Sequence, residues 1–87
     1  MPFTYRGFVL PEPLRFDLDA YASDGVPLCG FLEAVIANDF RDACFRADDK
    51  NAGLLPVLAC YVHNDLPHDC HGSRDAYRAW LRRKNDD

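Results

Sequence analysis

Side chains of the types that bind zinc cluster between residues 60 and 71 of this 87-residue chain. Zinc takes thiolate and imidazole ligands, and Cys60 and His63 lie about one helical turn apart. The second group is more compressed, because His68, Cys70 and His71 lack the usual spacing of about two to four residues between paired ligands. The alternatives are a small zinc-stabilised domain or a half-buried Cys60 beside a polar loop. We predict the second, with no metal and no cofactor.

Cys70 also has neighbours of the types that a nucleophilic thiol uses, namely His68, Asp69 and His71. A nucleophile needs a base and an orienting group in a fixed geometry, and adjacency in the sequence does not supply that geometry. The sequence contains no glycine-rich phosphate loop, HExxH pattern or nucleophile elbow. We therefore predict that the chain has no catalytic residues and is not an enzyme.

Asp39 is the least ordinary polar residue. In a helix over residues 28–46, at about 100° per residue, it falls on the apolar face near Leu32 and Ile36. A buried ionised carboxylate is costly without a partner. We expect either a structural role, in which Asp39 accepts hydrogen bonds from a helix N-terminus or an arginine, or a ligand-binding or catalytic role.

The elements that must position these residues are organised around the apolar run over residues 54–62. Its leucine, tyrosine and valine side chains share one helical face of typical core width. Pro56 is tolerated if the helix begins near residue 52, since the first turn has no amide partners to lose. Asn51 is a suitable N-cap, and Pro67 favours an end shortly before it.

The same reasoning predicts an all-α fold for the whole chain. Residues 1–87 form a single small domain, an irregular bundle of about four helices over residues 12–23, 28–46, 52–65 and 74–84. Gly25 suits the end of the first helix, and Ser73 is a good N-cap for the last. Residues 1–11 form an extended arm, which lies over its own domain or is swapped onto a neighbour, and residues 85–87 form a frayed tail.

Charge limits the classes of partner. The net charge is −4, and residues 12–49 carry nine acidic and three basic side chains, a balance of −6. An acidic chain is poorly suited to direct nucleic-acid binding. The sequence shows no signal peptide and no membrane-length apolar run. We expect a cytoplasmic protein with reduced thiols, a monomer or homodimer, and no membrane partner.

Several motifs between residues 14 and 83 together resemble a family of small helical proteins encoded by phages and prophages. The matching motifs are Gly25-Val26-Pro27, Gly30-Phe31-Leu32-x-Ala34-Val35, Asn38-Asp39-Phe40, Ala47-Asp48, Asn51, Leu55-Pro56, Tyr61, Asn64, Pro67, Cys70-x-Gly72-Ser73 and Trp80. The family often has tryptophan where this chain has His71, and Cys60 and His63 lie outside its pattern.

The resemblance implies a phage context and a short cytoplasmic protein of an infected or lysogenic bacterium. Its matching positions indicate a polar set of candidate ligand- or partner-binding residues: Asn38, Asp39, Asp48, Asn51, Asn64 and Ser73. The first hypothesis is a non-enzymatic protein that inhibits a host or defence protein through the acidic surface of residues 12–49. The alternative is a binder of a nucleotide signal, in which Asn38, Asp39 and Asn64 orient the ligand.

Overall fold

Short helices follow one another along the chain in the computed structural model, which describes residues 2–86. The helices are α1 (Glu12–Asp24), α2 (Gly30–Ile36), α3 (Phe40–Arg46), α4 (Asp49–Ala52), α5 (Leu55–Asp65) and α6 (Arg74–Asn85), with a 3-10 turn at His68–Cys70. They form a small, compact helical domain with a radius of gyration of 12.3 Å. Met1 and Asp87, at the ends of the predicted arm and tail, lie outside the described residues. Asn85, which we assigned to the tail, is the last residue of α6.

The N-terminal arm is a β-hairpin, so the strictly all-α prediction is wrong. Strands β1 (Thr4–Tyr5) and β2 (Phe8–Val9) pair antiparallel, and the two turn residues Arg6 and Gly7 have φ of 53° and 84°. Positive φ at both positions is typical of the tightest hairpin turns. Two-residue strands are too short to show alternation in the sequence.

The hairpin packs on its own domain. The amide of Leu10 donates to the carbonyl of Phe3 over 2.8 Å, and the Leu10 side chain is fully buried. The ring of Phe3 lies edge-on to that of Tyr61 in α5, with 5.0 Å between centroids. In this structure the arm therefore lies over its own domain.

The predicted helix over residues 28–46 is wrong in its middle, where residues 37–39 separate α2 from α3. Asn38 has a left-handed φ of 60°, a conformation that asparagine tolerates better than most residues. The Asp39 carboxylate then accepts the amide of Asp42 over 3.1 Å as the N-cap of α3. Ala37, in the break between α2 and α3, is buried.

The predicted helix over residues 52–65 begins later and is preceded by a separate turn. Asp48 accepts the amide of Asn51 over 2.8 Å and caps α4, so Asn51 lies inside α4 rather than at the start of α5. Pro56 is the second residue of α5, a position without an amide partner to lose.

Aromatic residues join α1 to α6 through their polar atoms. The Tyr21 hydroxyl donates to the carbonyl of Cys70 over 2.7 Å, and the Trp80 indole donates to the carbonyl of Ala22 over 3.1 Å. The rings of Tyr21 and Tyr77 stack with 5.2 Å between centroids. Satisfied polar atoms allow these aromatic rings to be buried at little cost, so the end of α1 is fixed against α6.

Gly25 ends α1 where it contacts α6. Its φ of 70° is left-handed, its carbonyl accepts the Asn85 amide over 3.0 Å, and a Cβ at this position would clash with the Lys84 Cβ. Backbone conformation and close approach therefore both require glycine here.

We predict that Gly25→Ala lowers the free energy of unfolding by about 2–4 kcal/mol, from left-handed strain plus overpacking. Gly7→Ala is the matched control, because Gly7 also has positive φ but has no atom near its Cβ position; it should cost only about 1–2 kcal/mol. Urea unfolding of both variants measures the difference. Equal losses would contradict the close packing of Gly25 on α6.

Candidate functional site

Arg74, the first residue of α6, joins three carboxylates from α2 and α3. Its guanidinium donates to Asp39 Oδ2 over 2.6 Å and to Asp42 Oδ2 over 2.8 Å, and its Nε lies 3.4 Å from Glu33 Oε2. Both Arg74 and Asp39 keep about a third of their side-chain surface exposed. The network therefore fixes the α2–α3 turn at the edge of the domain rather than in its core.

Asp39 has both of the partners that we expected of a structural carboxylate. The hydrogen bond from Arg74, followed by that from the amide of Asp42, lowers the pKa of Asp39 below its ordinary value. In return, the pKa of Arg74 is raised, chiefly by Asp39. Since each oxygen accepts a hydrogen bond from the chain itself, Asp39 is committed to the turn.

The other residues of the predicted polar set are dispersed along the chain. Asp48 caps α4, and Ser73 caps α6 by accepting the amide of Ala76 over 3.0 Å. Asn64 donates to the carbonyl of Cys60, one turn earlier in α5, over 3.0 Å. Asn38 and Asp39 are adjacent at the α2–α3 turn, but Asn64 lines neither of the two hollows that border this turn.

The larger of these hollows has a volume of about 310 Å³ and lies between the α2–α3 turn, α5 and the segment before α6. Val35, Ile36, Ala59 and Val62 supply its apolar lining, and its polar lining comes from Asn38, His63 and His71. We call it the His71 hollow.

His71 carries an unsatisfied polar atom. Its Nε2 is buried and has no hydrogen-bond partner among residues 2–86. Burial lowers the pKa of His71, and the nearby His68 and His63 lower it further, so the imidazole is neutral at pH 7. From the sequence, His71 was considered as a metal ligand and as a neighbour of a nucleophilic Cys70. The sequence of a polar loop does not show which ring atom will be buried by packing.

The second feature that sequence analysis missed is the outer surface of α3. Phe40 and Phe45 are 73% and 82% exposed. At about 100° per residue, Phe40, Cys44, Arg41 and Phe45 follow one another around roughly 140° of the helix; we call this exposed set the α3 arc. A smaller hollow of about 80 Å³ lies beside Phe40. The sequence did carry a signal for this surface, because both phenylalanines lie outside the apolar face of the predicted helix over residues 28–46.

The metal and nucleophile candidates do not form a recognisable centre. Within residues 2–86, no three histidine, cysteine or acidic side chains are placed to hold a metal ion. Cys70 is fully buried, and burial raises its pKa to about 11, so the thiol stays protonated at neutral pH. A protonated thiol is a poor nucleophile and a poor metal ligand.

In comparisons with known proteins, no protein-family model, curated protein or solved structure matches this chain. The resemblance to small phage proteins therefore stays a prediction. None of the helices between residues 2 and 86 combines the length and apolar character of a membrane span. What the chain binds has to be inferred from its own contacts.

We predict that Arg74→Met raises the pKa of Asp39 and lowers the thermal midpoint at pH 7. Because the pKa of Asp39 is depressed in the folded state, its contribution is complete above the unfolded value of about 4 and is lost as pH falls through the folded value. Carboxyl NMR titration and thermal unfolding measure both effects. Arg78→Met is the control, since the one ion pair of Arg78 among residues 2–86 is with exposed Asp75 over 3.7 Å. An unchanged Asp39 titration in Arg74→Met would refute the network.

Proposed function

We propose that this chain is a non-enzymatic interaction protein of the phage type, which binds and inhibits a host or defence protein through the α3 arc. The observation that carries the proposal is the exposure of Phe40 and Phe45 on one seven-residue helix. Exposed apolar patches mark interaction sites, and aromatic residues and arginine are enriched at protein interfaces. Arg41 lies between the two phenylalanines on this surface.

The α3 helix is held in place before any partner binds. Asp39 and Arg74 fix its first turn. Arg46 pairs with Asp42 over 2.9 Å, and its guanidinium lies against Gly30 of α2. A preorganised surface loses less conformational entropy when it binds. This rigidity favours a docking role for the arc.

The charges around α3 indicate the chemistry of the partner. Glu33 and Asp42, two of the residues assigned to an acidic contact surface, are compensated by Arg74. Asp48 and Asp49 are exposed and follow α3 directly. We infer a partner with an apolar cleft for the phenylalanines and basic residues at its rim, so that charge acts more on the association rate than on affinity.

The phage context, the cytoplasmic location and the inhibitory action rest on the motif resemblance alone. The α3 arc supports only the part of the proposal that concerns binding to a protein.

The test begins with capture of the partner from bacterial lysate and its identification by mass spectrometry. The affinity of the purified partner is then measured for the wild type, Phe40→Ser and Phe45→Ser. Burial of one phenylalanine is worth about 1.5–3 kcal/mol, so each substitution should weaken binding on the order of 10- to 100-fold. Because both side chains are exposed, stability should change by less than about 0.5 kcal/mol.

Phe16→Ser is the matched control, because Phe16 is 72% exposed but belongs to α1. It should bind like the wild type. A photo-crosslinker on Cys44 should label the partner, whereas one on exposed Cys29 should label it less. Two outcomes would overturn the role of the α3 arc. One is an equal loss of binding in all three phenylalanine variants, and the other is a loss of binding that occurs only when the charge of Asp49 is reversed.

A further inference from the structure

The His71 hollow has the features of a small-ligand site that is separate from the α3 arc. Its volume of about 310 Å³ is at the lower end of the range of about 300–1,000 Å³ found for ligand pockets. Such pockets have a mainly apolar lining with a few polar groups that orient the ligand. Val35, Ile36, Ala59 and Val62 form that lining here.

The buried nitrogen of His71 is the strongest indication of a ligand. Nearly all buried polar atoms in proteins have a hydrogen-bond partner, whereas Nε2 of His71 has none among the described residues. His71 lines the hollow, and its ring stacks on that of His68 with 6.0 Å between centroids. Nε2 is shielded from solvent in this structure, so the ring has to turn about its Cβ–Cγ bond before a ligand in the hollow can satisfy this unused hydrogen-bonding atom.

The polar groups of the hollow suit an uncharged, planar partner. A neutral imidazole nitrogen donates or accepts one hydrogen bond, and the Asn38 amide offers both a donor and an acceptor. The edge of a nitrogen heterocycle presents donors and acceptors side by side, which an asparagine amide can pair in a bidentate manner.

The charges of the hollow argue against a phosphate as the anchored group. Neither lysine nor arginine is among its described lining residues. The nearest arginine in the turn network, Arg74, is already paired with Asp39 and Asp42. Anions in proteins are usually held by such cations or by free backbone amides, and the Gly72 amide is bonded to the carbonyl of Ile36 over 2.8 Å.

We propose that the His71 hollow binds a nucleobase, with its edge paired to His71 and Asn38 and its faces against Val35 and Val62. This site differs from the nucleotide site expected from the sequence. Asp39 and Asn64 are bonded within the chain, and neither of them lines the hollow. The proposal goes beyond protein binding by α3 and does not depend on it.

The test is an NMR titration of the labelled full chain with adenosine, guanosine, cytidine and uridine, each up to its solubility. Binding of at least one nucleoside should shift the Asn38 side-chain amide, the Gly72 amide and the His71 ring nitrogens. Inorganic phosphate, titrated in parallel, should leave these signals unchanged.

Two variants locate the site. His71→Phe keeps a planar ring but removes the nitrogen, and Ala59→Leu fills the hollow from an exposed position of α5 while keeping both polar groups. Each should weaken nucleoside binding at least 10-fold. Phe16→Ser, the control, changes an exposed side chain of α1 that does not line the hollow and should bind within about twofold of the wild type, as expected for a surface substitution.

Far-UV circular dichroism and thermal unfolding establish that the variants are folded. If His71→Phe does not fold, Ala59→Leu still decides the question. Absence of shifts with all four nucleosides, shifts that persist in folded Ala59→Leu, or the same shifts with phosphate alone would each overturn the proposal.

Discussion

The turn between α2 and α3 is the constraint on which both candidate surfaces depend. It contains neither glycine nor proline, and Asn38 adopts a left-handed conformation there. The segment that leads into α6 holds the turn from outside: the Gly72 amide donates to the carbonyl of Ile36, and Arg74 donates to Asp39. Contacts distant in sequence thus determine where α2 ends and in which direction α3 leaves.

This turn gives the domain two different surfaces within a few residues. Asn38 borders the His71 hollow, and Phe40, two residues later, begins the α3 arc. Without the break, residues 38 and 40 would lie on one continuous helix, about 200° apart. A single local change of backbone direction therefore produces both a recess and a projecting aromatic helix.

The parts of the fold that sequence analysis predicted are those with local causes. Gly25 ends α1 and Ser73 begins α6 through their own backbone or side-chain chemistry. The function of Asp39 depends on Arg74, which is 35 residues away, and burial of His71 Nε2 depends on packing between several elements. The periodicity of one segment cannot predict the Arg74–Asp39 contact or the burial of His71 Nε2, because both depend on other segments. The apolar stripe on which Asp39 was placed belongs to a continuous helix that the chain does not form, because Asp39 is the N-cap of α3.

The dependence of the N-terminal half on α6 has a consequence for folding during protein synthesis. Helices α2 and α3 have seven residues each and α4 has four, lengths that are unstable in isolation. The end of α1 needs Trp80 and Asn85, and the α2–α3 turn needs Arg74. The nascent chain therefore cannot complete its core until α6 has left the ribosome. A chain that ends shortly before residue 74 would lack these contacts and would be an unfolded substrate for proteases.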